Sequence, residues 1–173
     1  MDNQQFRAQL EQHHVEAFTW ALSLCRFDPD DADNLLQTAY VNILSRHSVF
    51  SEQSSFRTWL FAVIRNTAAE LRRREWLRRA WLVADADIEQ TLDHRPRPDQ
   101  ILHEDERSTQ LRKAIGLLPR RQCEVLNLVF YHDLSVAEAA TVMAVSVGSA
   151  RRHYERAKQR LRVYVSEGNA NEQ

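Results

Sequence analysis

The sequence contains few of the residues that interrupt helices. Only 3 glycines and 4 prolines occur among 173 residues, and no run of alternating β-branched residues indicates a strand. Alanine, leucine, arginine, glutamate and glutamine, which all favour helices, recur throughout the chain instead. This composition excludes a turn-rich β architecture and predicts an all-α fold.

Cysteines and long apolar runs are also scarce. Cys25 and Cys123 lie among apolar residues of predicted helices, where a free thiol behaves as a small hydrophobic side chain. The 7 histidines show no metal-ligand spacing, so we expect no metal site and no cofactor. No window approaches the roughly 20 apolar residues that a membrane span requires, and the amino terminus has no apolar stretch after a basic start. We therefore expect a cytoplasmic protein without membrane insertion.

Motifs that carry catalysis are absent as well. The sequence has no glycine-rich loop that could cradle a phosphate, no HExxH motif and no convergent set of catalytic side chains. These absences argue against an enzyme, including a nuclease attracted to nucleic acid by basic patches.

Charge is segregated along the chain, although the formal net charge is only -1. Acidic residues outnumber basic ones in residues 1–56 and again in 83–106, whereas basic residues dominate in 57–82 and 107–165. Two basic blocks separated by an acidic one indicate two contacts with nucleic acid, joined by a segment that avoids it.

The same pattern divides the chain into two small helical domains, residues 1–82 and 106–166, with a tail at 167–173. Residues 83–105 lack a sustained apolar period and contain the sequence RPRP. This composition predicts a flexible acidic linker between the domains.

One amphipathic helix in the first domain has a well-defined apolar face, and Asp30 or Asp31 is expected to cap it. Its apolar residues recur at steps of three and four: Ala32, Leu35, Leu36, Ala39, Tyr40, Ile43 and Leu44. The opposite face carries Asp33, Asn34, Gln37 and Thr38.

A third helix of this domain is predicted from about Phe56 to Arg79, with an arginine cluster at its far end that includes Arg72 and Arg73. Arg65 and Asn66 share the helix, and Phe50 lies in the polar loop before it. An aromatic ring, an amide and a positive groove suit unpaired bases. The residues alone leave an alternative open, in which Phe50 anchors the loop and the arginines only solubilise the helix end.

The second domain contains the pattern of a helix-turn-helix. Ser135 and Glu138 have capping-box spacing, and Ser146 can cap a following helix after the tight segment Ala144 to Ser146. The buried stripe of that last helix is expected to comprise Val147, Ala150, Tyr154, Ala157 and Leu161.

Charged residues outside this stripe lie near the end of the helix that would enter a major groove: Arg151, Arg152, Glu155 and Arg156. Arginine can bind guanine through two hydrogen bonds, and glutamate can accept one from cytosine. A solvated basic face is the alternative, but the preceding helix-turn-helix favours DNA reading.

Three segments, taken in order, resemble extracytoplasmic-function sigma factors of bacterial RNA polymerase. DDADNLLQTAYVNIL is similar to the helix that docks on the polymerase clamp, and SSFRTWLFAVIRNTAAELRRR to the promoter-melting segment. LLPRRQCEVLNLVFYHDLSVAEAATVMAVSVGSARRHYERAKQRL resembles the promoter-binding domain. The resemblance implies a sigma factor that binds core RNA polymerase and directs promoter-specific transcription initiation. It also implies that the -35 element of promoter DNA is read as duplex and the -10 element as a melted strand.

Site residues follow from this resemblance position by position. The polymerase-binding set is Asp33, Asn34, Gln37 and Thr38, although relatives usually have acidic residues where Asn34 and Thr38 stand. The -10 set is Phe50, Arg65, Asn66, Arg72 and Arg73. The -35 set is Ser149, Arg151, Arg152, Glu155 and Arg156. The resemblance further implies that the acidic linker enters a polymerase channel and that an anti-sigma factor binds the chain.

An autonomous helix-turn-helix regulator, binding duplex DNA as a dimer, is the alternative function. Such a regulator would bind its site tightly without polymerase, whereas a sigma factor would gain promoter affinity in the holoenzyme.

The division into two domains predicts where a protease cuts first. Limited proteolysis should cleave between about Ala84 and Glu104, because the flanking segments have their own apolar periodicity and this one does not. Early cleavage within residues 30–75, detected by mass spectrometry of the first fragments, would contradict the division.

Overall fold

A computed structural model of the chain describes residues 3–46, 50, 53–84 and 114–170. The predicted linker from residue 85 onward and the end of the predicted tail lie outside these residues. Within them no strand occurs, which confirms the all-α fold. Their helices of eight residues or more are α1 (Asn3–Gln12), α2 (His14–Leu24), α3 (Pro29–Arg46), α4 (Phe56–Ala84), α5 (Arg120–Phe130), α6 (Val136–Met143) and α7 (Val147–Ala170).

The chain divides into two compact units, Met1–Arg97 and Pro98–Gln173. In the first unit, α2, α3 and α4 pack against one another. Trp20 of α2 is fully buried at their centre, where its indole N–H donates a hydrogen bond to the Phe61 carbonyl oxygen over 3.1 Å. The two rings also stack, with centroids 5.9 Å apart.

The apolar face predicted for α3 is largely buried. Leu35, Leu36 and Ile43 have almost no exposed surface, whereas Tyr40 is half-buried and Leu44 is exposed. The stripe therefore narrows toward the carboxyl end of the helix, and the polar side chains remain on the opposite face.

The helix α3 is capped by Asp28 instead of Asp30 or Asp31. The Asp28 carboxylate accepts hydrogen bonds from the backbone N–H groups of both those residues, each over 3.0 Å. Pro29 occupies the first helical position. A backbone N–H there would have no intrahelical acceptor, so the helix loses no hydrogen bond when proline stands at this position. The cap consequently lies before the proline, and Asp30 and Asp31 form the first turn of the helix.

In the second unit, α5, α6 and α7 pack against one another. The predicted capping box is present, since the Ser135 hydroxyl accepts from the Glu138 N–H and the Glu138 side chain accepts from the Ser135 N–H. Ala144 follows α6 in the left-handed conformation, with φ 51° and ψ 50°. Two helices joined by this tight turn form the expected helix-turn-helix.

The core of this unit contains Ile115, Leu118, Leu126 and Ala157, with Tyr154 and Leu161 packed against it. The buried stripe predicted for α7 is thus correct from Ala150 onward. Val147 was expected there as well, but it is 45% exposed. It is the first residue of α7, so it lies beside the turn and not over the core.

Both cysteines are half-buried free thiols. Burial, reinforced by the nearby carboxylates of Asp31 and Glu124 respectively, raises the pKa of Cys25 and of Cys123 to about 11. Both side chains therefore stay protonated at neutral pH, where a protonated thiol is a poor nucleophile.

Removing the cap of α3 should measurably destabilise the first unit. We expect Asp28→Ala to lower the free energy of unfolding by about 0.5–2 kcal/mol, because two N–H groups lose their acceptor. Asp28→Asn keeps an acceptor oxygen and should cost less. Urea denaturation followed by circular dichroism measures both. A large loss in Asp30→Ala with none in Asp28→Ala would place the cap at the other residue.

Candidate nucleic-acid interface

The helix α7 has a buried side and a charged side. Ala150 and Ala157 are fully buried against the core of the second unit. On the other side, four charged residues of the predicted -35 set are exposed: Arg151, Arg152, Glu155 and Arg156. The second helix of the helix-turn-helix therefore presents a charged surface near its amino-terminal end.

Two of these four side chains are engaged within the helix. An Arg152 guanidinium nitrogen lies 3.4 Å from the Ser149 hydroxyl oxygen, to which it donates. Glu155 forms an ion pair with Lys158, with a nitrogen-to-oxygen distance of 2.9 Å. Among the described residues, Arg151 and Arg156 have no intramolecular hydrogen bond or ion pair. Their guanidinium groups are the ones available to bind an external partner.

Arg121 of α5 contacts the end of α6, where the turn begins. Its guanidinium donates a hydrogen bond to the Met143 carbonyl oxygen over 3.1 Å, which satisfies a carbonyl at the end of α6. The contact joins residues 22 positions apart in sequence. No local pattern in the sequence indicates this positioning role.

In the first unit, neighbouring residues of the predicted -10 set point to different sides of α4. Asn66 is exposed, whereas Arg65 is only 6% exposed. Arg72 is half-buried and Arg73 is exposed. The burial of Arg65 counts against a direct contact between its guanidinium and DNA.

The arginine-rich end of α4 is partly neutralised by its own glutamates. Glu70 pairs with Arg74 over 2.6 Å, and Glu75 pairs with Arg78 and Arg79 over 2.9 and 2.8 Å. Hydrogen bonds from Arg78 and Arg79 lower the pKa of Glu75 to about 2, so this carboxylate is ionised at neutral pH. Arg73 takes part in none of these pairs and lies on the exposed side of the helix.

Phe50 belongs to an aromatic cluster on the first unit. Its ring meets Phe56 and Trp59 nearly edge-on, with centroids 5.5 and 5.6 Å apart, and Phe6 of α1 contacts the same two rings. Phe50 remains half exposed. Its position fits both a loop anchor and an aromatic ring that a base can reach.

The polar face of α3 is solvent-accessible, as required of a docking surface. Asp33, Asn34 and Gln37 are exposed, and the Gln37 amide donates to the Asp33 carboxylate over 2.6 Å. The Thr38 hydroxyl donates to the Asn34 carbonyl oxygen over 2.8 Å and is only half exposed. Of these four residues only Asp33 carries a carboxylate, and it lies one turn before Gln37.

The described residues contain no group of three or more histidine, cysteine, aspartate or glutamate side chains that could hold a metal ion. In that same part of the chain, no helix combines the length and apolar character that crossing a bilayer demands.

Similarity to known proteins covers both units. Residues 10–78 match the family model for Sigma-70 region 2, and residues 108–161 match that for Sigma-70, region 4. The chain is 30% identical over 147 residues to the ECF RNA polymerase sigma factor EcfG of Rhodopseudomonas palustris, covering 85% of this chain and 76% of the relative. The chain belongs to the extracytoplasmic-function sigma factors. The implied family is confirmed, and with it the function of directing promoter-specific transcription by RNA polymerase.

A second curated relative and two solved structures are also similar to this chain, the structures in fold. The sigma factor SigX of Bacillus subtilis is 23% identical over 162 residues, which cover 92% of this chain and 83% of the relative. The sigma factor RpoE of Bartonella quintana, solved with the anti-sigma factor NepR, has the same fold with a TM-score of 0.71 at 22% identity, covering 94% of this chain and 97% of that one. CnrH, solved with the cytosolic domain of CnrY, gives a TM-score of 0.67 at 20% identity, covering 96% and 90%. The alternative of an autonomous regulator is not supported, because the region 2 match covers the unit that it would use for sensing or dimerisation.

If the polar face of α3 contacts polymerase, adding a positive charge to it should weaken holoenzyme formation. We expect Gln37→Arg to reduce core-polymerase binding at least about tenfold, because it places a cation beside Asp33 in a face predicted to offer negative charge and amide groups. An arginine at this position can still donate to the Asp33 carboxylate one turn earlier, so the stability should change by no more than about 0.2–0.5 kcal/mol. Native gel shift with purified core polymerase measures the binding.

Thr19→Arg provides the matched control, since it adds the same charge at an exposed position of α2. It should bind core polymerase normally. A folded Gln37→Arg variant with normal core binding would refute the docking assignment.

Proposed function

We propose that this sigma factor reads its promoter in two physical states. The helix α7 binds the -35 element as duplex, and α4 with the loop residue Phe50 binds the -10 element as a separated strand. The observation that carries the proposal is the pair of exposed, unengaged guanidinium groups of Arg151 and Arg156 on the second helix of a helix-turn-helix.

Duplex reading requires side chains that reach base edges from a helix in the major groove. Arginine meets guanine O6 and N7 with two parallel hydrogen bonds. Arg151 and Arg156 can supply such contacts, while Ser149 orients Arg152 and Lys158 competes for Glu155. Arg152 and Glu155 can still contribute by exchanging these exposed partners for bases, because exposed pairs of this kind are weak.

Reading a separated strand requires surfaces that unpaired bases can stack on and hydrogen-bond to. Asn66 offers an exposed amide, Arg73 an exposed cation and Phe50 a half-exposed ring. Arg65 and Arg72 act indirectly, because Arg65 is buried and two guanidinium nitrogens of Arg72 are also buried, close enough to Cys25 to act on its thiol. The combination of ring, amide and cation suits single-stranded nucleic acid, whose bases present free faces.

The remaining contacts are with proteins. Asp33, Asn34, Gln37 and Thr38 form the proposed surface for the polymerase clamp, and the acidic linker enters a positively lined channel of the enzyme. The structural neighbours solved with NepR and CnrY support an anti-sigma factor as a further partner of this chain. Its place of action is the cytoplasm, and its role in initiation is binding without catalysis.

The division of labour is tested by two variants that should fail at different steps. Arg151→Ala should cost about 1–3 kcal/mol of binding and relax base preference in the -35 element, because one bidentate contact is lost. Phe50→Ala should leave -35 binding intact and impair promoter opening, since an unpaired base loses its stacking partner. Holoenzyme binding to a library of -35 sequences measures the first effect, and permanganate reactivity of melted thymines measures the second.

Arg162→Ala is the control for charge alone. It removes an exposed arginine of α7 that lies 11 residues, or about 16 Å, beyond Arg151 along the helix. It should leave the base preference unchanged. Normal opening with Phe50→Ala, or an unchanged -35 preference with Arg151→Ala, would show that the units do not divide the reading in this way.

A further inference from the structure

The exposed face of α4 continues well beyond Asn66. Trp76 is 68% exposed and Leu77 is 42% exposed, which are large apolar surfaces to leave in water. Exposed residues recur at helical spacing along this face: Asn66, Ala69, Arg73, Trp76, Leu77 and Ala80. Because residues three and four apart adjoin on a helix surface, they form one continuous stripe. We call it the α4 stripe.

Trp76 lies outside the core that the described residues of its unit form. Among the α4 side chains that the structure describes, Ala68 is the last buried one. From Ala69 to Ala80 each is exposed or half-exposed. Packing among the described residues of this unit therefore does not explain a tryptophan at this position. A contact with a binding partner would explain it.

The charge around Trp76 indicates what kind of partner it contacts. Arg73 lies one turn before it on the stripe, while Glu70 and Glu75 are each held by arginines through ion pairs. The accessible charge beside the indole is therefore positive. A cation next to an exposed aromatic face is the combination that binds nucleic acid, where the cation meets phosphate and the ring stacks on a base.

We propose that Trp76 and Arg73 form a second subsite for unpaired promoter DNA, about 15 Å along α4 from Asn66. Trp76 stacks on a base and Arg73 contacts an adjoining phosphate. The subsite rests on the proposed reading of the -10 element and extends it, because the same face of one rigid helix then holds the strand at two places. Its ligand is a separated strand, since the bases of a duplex already stack on their neighbours.

The test uses holoenzyme assembled from core polymerase and the full-length chain. Its DNA is a fork whose duplex arm carries the -35 element and whose non-template strand is unpaired from the -10 element onward. Trp76→Ala should lower affinity for this fork about tenfold, which is the loss expected for one stacked base. Trp76→Phe keeps an aromatic face and should retain most of the affinity. Neither variant should change binding to core polymerase or to a fully duplex -35 fragment.

Arginine variants test the phosphate contact. Arg73→Ala should weaken fork binding and reduce its dependence on salt concentration, because one phosphate contact is lost. Arg78→Ala removes the same charge from a residue paired with Glu75 and should leave fork binding and its salt dependence unchanged.

Several results would overturn the subsite. Unchanged fork affinity in Trp76→Ala would do so, as would an equal loss on duplex DNA. If Trp76→Ala abolished core binding, Trp76 would contact protein instead. The same would follow if the variant lost a dimer that the wild-type chain forms in sedimentation. Asn66→Ala and Phe50→Ala in the same assay separate this failure from that of the proposed function. If they weaken fork binding while Trp76→Ala does not, only the subsite is wrong, whereas no effect from any of the three would reject both.

Discussion

Buried alanines control how the helices of both units are rotated, and the rotation decides which side chains reach solvent. Ala32 and Ala39 of α3, Ala139 of α6, and Ala150 and Ala157 of α7 have no exposed surface. A methyl side chain lets two helices approach closely, and a larger residue there would force them apart. With these positions fixed inside, the residues on the far side of α3 and α7 must face outward. The docking face and the charged face of α7 therefore both depend on the packing beneath them.

Electrostatics selects among the many arginines that the helices expose. On α4, Glu70 and Glu75 each hold arginines, and the lowered pKa keeps Glu75 charged throughout the physiological range. On α7, Lys158 forms an ion pair with Glu155. Screening by salt weakens exposed pairs and weakens attraction to DNA together, so the competition between them persists as ionic strength changes. The number of exposed arginines alone would overstate how many cations are available for DNA.

Local signals in the sequence predicted local structure well. The spacing of Ser135 and Glu138 located the start of α6, because a capping box involves only neighbouring residues. The cap of α3 was misplaced by two or three residues, since Pro29 shifts the helix start. Burial was harder to predict: Arg65 and Asn66 are adjacent, yet only the packing of α4 determines that the first is inside and the second outside. Long-range contacts, such as those of Trp20 with Phe61 and of Arg121 with Met143, have no signature at short sequence separation.

The left-handed alanine in the helix-turn-helix bears on how promoter preference can evolve. Ala144 is exposed and holds a conformation that costs a residue with a β-carbon about 1 kcal/mol relative to glycine. The second unit is consequently less stable than it would be with glycine at this position. One substitution could recover that free energy. Changes of the DNA-facing residues of α7 that also weaken the fold could be compensated at this turn, without altering any residue proposed to touch DNA. The chain can therefore tolerate more destabilising changes of its DNA-facing residues than its present stability suggests, and new promoter preferences can arise through such changes.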